Sequence, residues 1–276
     1  MPRSDRRQII KVLSACGVSA LCRSKGWAGE LPLKNTGLEH FGYTVPDTKA
    51  AAEFYGKIFD PQLFQERDPP PRYYVRLGIG YIAFGGNNKD APAFIDHFCT
   101  LVDGYGQGET RKLFEAAGVQ MGAGALGMAM DPDGLRLQTL GVPGGLARTI
   151  IPSARISQEP PLFQAIGPDY LILRVSNLEK STEHYRKIYG KEAARTAKPT
   201  CVWFNLPGNT RLGLEPVNEG EKASIHHIGV KIAGFDRKTA IEKLKRAQVE
   251  VVRAEDKNIV RFKDLNGMVM DLKAGV

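Results

Sequence analysis

Leu38-Glu-His-Phe-Gly-Tyr-Thr-Val45 reads as a strand, and the chain echoes it three more times, at 95–102 (IDHFCTLV), 168–175 (PDYLILRV) and 225–232 (IHHIGVKI). In register, the third letters are His40, His97, Tyr170 and His227. His40 and His97 are 57 residues apart, as are Tyr170 and His227, and each member of the first pair precedes its counterpart by 130. Fixed spacings of this kind are the signature of one supersecondary unit used repeatedly.

The rest of the unit repeats too. Helical patterns follow the strands at 50–59, 110–118, 180–189 and 240–248, and Tyr55 and Tyr185 are again 130 apart. Short β-rich runs come next, at 73–84, 125–140, 200–214 and 251–272. The expected unit is strand, helix and about three strands, present four times. Asp131-Pro-Asp-Gly134 and Asp264-Leu-Asn-Gly267 are matching tight turns before the last strand of the second and fourth units. Their offset is 133, so three residues were inserted between them. The Pro- and Gly-rich stretch 143–167 reads as a linker between halves at 36–142 and 168–276.

Side chains alternate across a strand, which sorts each repeat into two faces. Phe41, Tyr43 and Val45, with Phe98, Val102, Leu171, Leu173, Val175, Ile228, Val230 and Ile232, form an apolar face for helices. His40, Gly42, His97, Cys99, Tyr170, Arg174, His227, Gly229 and Lys231 fall on the other face, which suits a lined cavity. His226 falls on the apolar side and His184 on a helix, so both read as structural or exposed.

The formal charge of +8 invites a nucleic-acid reading, but residues 1–28 hold six basic residues and one acid. Only about +3 remains for the rest of the chain, and the case for nucleic acid dissolves. That leader, with Arg6 and Arg7 before a short apolar stretch, resembles a twin-arginine export signal and is too short for a stable membrane span. A periplasmic or secreted location is expected, or a cytoplasmic one if the leader is not processed. Cys16, Cys22, Cys99 and Cys201 show no metal-type spacing and predict no disulfide.

The xxHxxxxV strands, the helix carrying FY or HY, and the DPDG or DLNG turn together resemble the vicinal oxygen chelate superfamily, which includes glyoxalases, extradiol dioxygenases and bleomycin-resistance proteins. The resemblance implies an α+β fold of four βαβββ modules, forming two glyoxalase-like domains with half-closed U-shaped sheets. It also implies one divalent ion (Fe2+, Mn2+, Zn2+ or Ni2+). The family's ligands map onto the third strand position and the fourth residue after the turn glycine, here His40, His97 and Gln138. Gln138 departs from the carboxylate of the dioxygenases and weakens the set. A rival set in the second half is Glu215, His227 and Asp271, with Tyr170 where a histidine would stand. Without metal, His227 and Asp271 would join an ion-pair network with Arg174 and Lys231.

Two functions follow. One is a metal-dependent enzyme of dioxygenase, isomerase or lyase type acting on a small oxygenated substrate. The other is a non-catalytic, sequestering protein of the bleomycin-resistance type. No residue is assigned to catalysis as such. Either a monomer or a homodimer suits fused modules.

Overall fold

A computed structural model of the chain describes residues 31, 33–66, 71–86, 88–123, 127–141 and 150–275. The expected export leader at 1–28, with Cys16 and Cys22, lies outside them. The first half runs β1 (Lys34–Val45), α1 (Thr48–Ile58), β2 (Gln62–Glu66), β3 (Tyr73–Leu77) and β4 (Gly80–Gly86). It continues with β5 (Phe94–Asp103), α2 (Gln107–Ala116), β6 (Gln120–Met121), β7 (Ala129–Met130) and β8 (Arg136–Gly141). After β9 (Ile150–Arg155), the second half runs β10 (Ala165–Val175), α3 (Leu178–Tyr189), β11 (Ala194–Ala197), β12 (Thr200–Leu206) and β13 (Thr210–Pro216). It ends with β14 (Ser224–Ile232), α4 (Arg237–Arg246), β15 (Val251–Val252), β16 (Ile259–Lys263) and β17 (Val269–Ala274).

Three of the helices begin at caps that the periodicity alone did not mark. Asp47, Asn177 and Asp236 each accept a backbone N–H from the residue three positions on, at 2.8–3.0 Å. Each cap contributes about 1 kcal/mol, so these helices start two or three residues earlier than the apolar pattern. Gly134 and Gly267 take φ of 80° and 79°, the left-handed turn conformation that the two DxxG turns require.

The strands form one large curled sheet that no pairing closes among the described residues. The repeated strands lie at its centre: β1 runs antiparallel to β5, and β10 antiparallel to β14. Their outer partners are parallel, β4 on β1, β8 on β5, β13 on β10 and β17 on β14. A bridge between Ile95 and Ile225 joins the two halves. The stretch read as linker carries a strand of its own, because β9 adds antiparallel to β2. Its Pro152 is tolerated at that edge, where a ladder N–H is dispensable.

The face sorting holds for the core. Phe41, Tyr43, Val45, Phe98, Leu171, Leu173, Ile228 and Val230 are buried in a cluster drawn from both halves. Tyr55 and Tyr185 go further than core contacts: their hydroxyls cross to the turn aspartates Asp264 and Asp131 of the opposite halves.

Candidate metal centre and its counterpart in the second half

Pairing of β1 with β5 sets His40 opposite Cys99 and Gly42 opposite His97. The imidazole of His97 lies over Gly42 so closely that a Cβ there would stand 2.0 Å from its Cε1. Only a glycine leaves room for this ring. The two imidazoles meet edge to face with centroids 5.5 Å apart, and Tyr81 of β4 stacks on His40 at 4.5 Å. Gln138 enters from β8, whose parallel register places it beside Cys99.

Each histidine is oriented by the acid immediately before it. Glu39 Oε2 lies 2.8 Å from His40 Nδ1, and Asp96 Oδ2 lies 2.8 Å from His97 Nδ1. Asp96 is held in turn by Arg136. Donation from Nδ1 to a carboxylate fixes the tautomer whose Nε2 carries the lone pair, the form that binds a metal ion. Burial lowers the basicity of both rings: His40 is held below the usual histidine range, and His97 is lowered to about 4 with the Arg72 charge assisting. Both therefore stand neutral at pH 7.

Gln138 Oε1 lies 3.0 Å from His40 Nε2. With Nδ1–H committed to Glu39, both atoms are acceptors, and a cation between two facing acceptors resolves the contact. Imidazole nitrogen and amide oxygen are both donors that a borderline divalent ion would accept. His40 and Gln138 are thus in contact and the His97 ring lies against that of His40, a set of donor types that fits a divalent ion. Glu39, His40 and Cys99 form a further buried donor group, their ligand atoms within 4.8 Å of one another. Glu39, Asp96, Cys99 and Tyr81 had no assigned role in the sequence reading. A signal for the two acids was present, since both histidines directly follow a carboxylate.

The second half is built differently at the equivalent place. His227 and Asp271 are brought together, with His227 Nε2 3.3 Å from Asp271 Oδ2, but Arg261 of β16 is wedged against both. Arg261 gives Nε and Nη2 hydrogen bonds to the two Asp271 oxygens, both 2.7 Å, and its Nη2 lies 3.0 Å from His227 Nε2. Tyr170 donates its hydroxyl to Asp271 as well. Burial alone would raise the Asp271 carboxyl, but the bonds and charge of Arg261, with His227, hold it well below the usual carboxylate range. Glu215 stands apart from this group, 3.8 Å from Arg174. His226 does not point away from the lined face: its Nδ1 is 2.7 Å from His227 Nδ1, and both rings line a cleft of about 900 Å3. The guanidinium already fills the place of a cation, so these residues do not fit a metal ion.

No family model matches the chain. Over 117 residues it is 30% identical to the metallothiol transferase FosB of Staphylococcus haemolyticus, covering 40% of this chain and 84% of that protein. The chain belongs to the vicinal oxygen chelate superfamily. This vicinal oxygen chelate protein is also 25% identical over 178 residues to a probable chloroplastic lactoylglutathione lyase of Arabidopsis thaliana, covering 57% of this chain but 45% of the plant protein, so it spans about half of that relative. A crystal structure of catechol 2,3-dioxygenase shares the fold, with a TM-score of 0.63 and 16% identity over 88% of each chain. No helix among the described residues is long and apolar enough to cross a membrane.

Sequence reasoning missed Arg261, although the signal existed. The offset of 133 that matches Gly134 to Gly267 and Gln138 to Asp271 also matches Met128 to Arg261. The Arg174 and Lys231 network expected around His227 does not form. Arg174 pairs with Glu221 at 2.9 Å, and Lys231 donates to the carbonyls of Gly208 and Asn209.

Proposed function

We propose that this chain is a metal-dependent enzyme of the vicinal oxygen chelate type, acting on a small oxygenated substrate by dioxygenase, isomerase or lyase chemistry. The observation that carries the reading is the pair of carboxylate-oriented imidazoles, His40 and His97, with Gln138 beside them and Gly42 cut away for the second ring. A divalent ion (Fe2+, Mn2+, Zn2+ or Ni2+) held by these three residues supplies Lewis acidity toward adjacent oxygens of the substrate. Glu39 and Asp96 keep the Nδ1 protons in place and direct Nε2 inward. Tyr81 fixes the plane of His40, and burial keeps both rings unprotonated at neutral pH.

In this reading the chain is four βαβββ modules in two domains, 36–142 and 168–276, joined by 143–167. The leader at 1–28 directs it to the periplasm, and it works as a monomer or homodimer without nucleic acid. The test is metal analysis of protein purified after expression with metals supplied. About one divalent ion per chain, lost on His40→Ala together with activity on a catechol or hemithioacetal panel, is expected. Protein that carries no stoichiometric metal and keeps its thermal midpoint in chelator would sink the reading.

A second reading, a sequestering protein without catalysis, is favoured by one contact. The His40 Nε2 to Gln138 side-chain contact at 3.0 Å also closes as a hydrogen bond when the amide is turned so that its NH2 donates to Nε2, which satisfies both groups without metal and leaves Nδ1–H on Glu39. Tight ligand binding in the presence of chelator, with no turnover, would select it.

A further inference from the structure

We infer that the second-half cleft is a separate, metal-independent binding site for a small aromatic carboxylate, built around Arg261 as a fixed internal cation. Arg261 is held rigid from behind. Nε and Nη2 are engaged by Asp271 and His227, while Nη1 makes no hydrogen bond among the described residues, and the side chain lines the cleft. A guanidinium anchored on one edge presents its other edge as a preorganised donor, and such donors favour carboxylates. The same Asp271 that neutralises Arg261 therefore also aims it.

Charge alone does not decide the matter, because five cationic and three acidic side chains line the cleft. The distribution of partners decides it. Among the described residues, Lys198 and Arg253 have no ion-pair partner, and Arg211 spends only Nη2, on Asp169 at 2.8 Å. Unspent N–H donors lining one cleft are a receptor for an anion.

The body of the ligand follows from the walls. Trp203 and Tyr170 meet edge to face with centroids 5.9 Å apart, and the Arg211 guanidinium lies over both rings, at 4.9 and 5.5 Å. An aromatic wall beside charged donors accepts a flat apolar body bearing a carboxylate, and about 900 Å3 is ample for one. The first half offers no such anchor, because Met128 stands where Arg261 would be.

The site is tested on full-length chain carrying Trp27→Phe, which leaves Trp203 as the sole tryptophan, in EDTA so that no metal recruits the probe. Benzoate is titrated against Trp203 fluorescence, with acetate and inorganic phosphate as parallel arms. Saturable binding of benzoate is expected, with acetate and phosphate each weaker by about tenfold or more. The Lys198→Ala/Arg253→Ala double variant, which touches exposed side chains only, should weaken benzoate by about tenfold, and Arg261→Lys should do the same by removing the fork. No saturable response to benzoate, equal binding of phosphate, or affinity unchanged in both variants would overturn the proposal. Because EDTA is present throughout, loss of the first-half metal leaves this result untouched.

Discussion

Tyr55, on α1 of the first half, donates its hydroxyl to Oδ2 of Asp264 in the second half at 3.1 Å. Tyr185 on α3 returns the contact to Asp131 at 3.2 Å. In each turn aspartate, Oδ1 accepts backbone N–H bonds that shape the turn, as Asp264 does from Asn266 and Met268. The other oxygen faces the tyrosine of the opposite half. Turn geometry and the union of the halves are therefore coupled through one carboxylate on each side.

Replacing Tyr55 by Phe leaves a buried carboxylate oxygen short of a donor, at a cost of about 1–3 kcal/mol. The Tyr55→Phe and Tyr185→Phe variants should each lower the urea midpoint without changing metal content. Midpoints matching the wild type would show that water or rearrangement replaces the bond.

Stability should fall on mild acidification in the presence of chelator. Burial lowers His40 in the folded chain, His97 and His184 to about 4, and His226 to about 3. Unfolded histidine titrates at about 6.5, so between that value and about 4 the unfolded chain binds more protons. His97, His184 and His226 then each cost about 1.4 kcal/mol per pH unit, and His40 acts in the same direction. Asp131, raised to about 6 by burial, acts in the opposite sense, gaining stability as pH falls, and Asp264, which burial moves upward, acts in the same direction as Asp131. Four histidines outweigh two aspartates. Thermal midpoints should drop from pH 7 to 5, and His184→Gln should flatten that slope; an unchanged slope would exclude His184 as a contributor.

At the candidate metal centre, Gly42→Ala forces a methyl into the His97 ring, which must move. Metal content should fall while the chain stays folded, at a stability cost of about 1–3 kcal/mol. Gln138→Glu should act the other way, since a carboxylate binds a divalent cation more tightly than an amide. Competition against a chelator reads both; full metal retention in Gly42→Ala would remove His97 from the ligand set.

Arg261→Met strands the charge of Asp271, which is fully buried, and should cost about 3–5 kcal/mol. Adding Asp271→Gln recreates the Met128 and Gln138 pair of the first half and should recover most of that loss. Denaturant unfolding of the two single variants and the double variant gives the cycle, and additive effects would rule out the pairing.

Much of the fold was legible because strand alternation and tight turns are local. His40, His97, Tyr170 and His227 fell at one register, and Gly134 and Gly267 announced their turns. The helix starts were less legible, since Asp47, Asn177 and Asp236 act through single side-chain bonds outside any periodic pattern. The β9 strand was hidden in a Pro- and Gly-rich stretch because an edge strand needs only one partner.

The sequence by itself determined the repeated strands, the two faces of each and the short list of residues able to ligate. Periodicity and spacing are properties of the chain, and no folding is needed to read them. Only the tertiary structure decided what each half does with its list. It set Glu39 and Asp96 against the two imidazoles of the first half, and it laid Arg261 against both His227 and Asp271 in the second. Cross-strand neighbours and the direction of a long side chain depend on how strands pair, so a metal position and an arginine position stay indistinguishable until the sheet is formed.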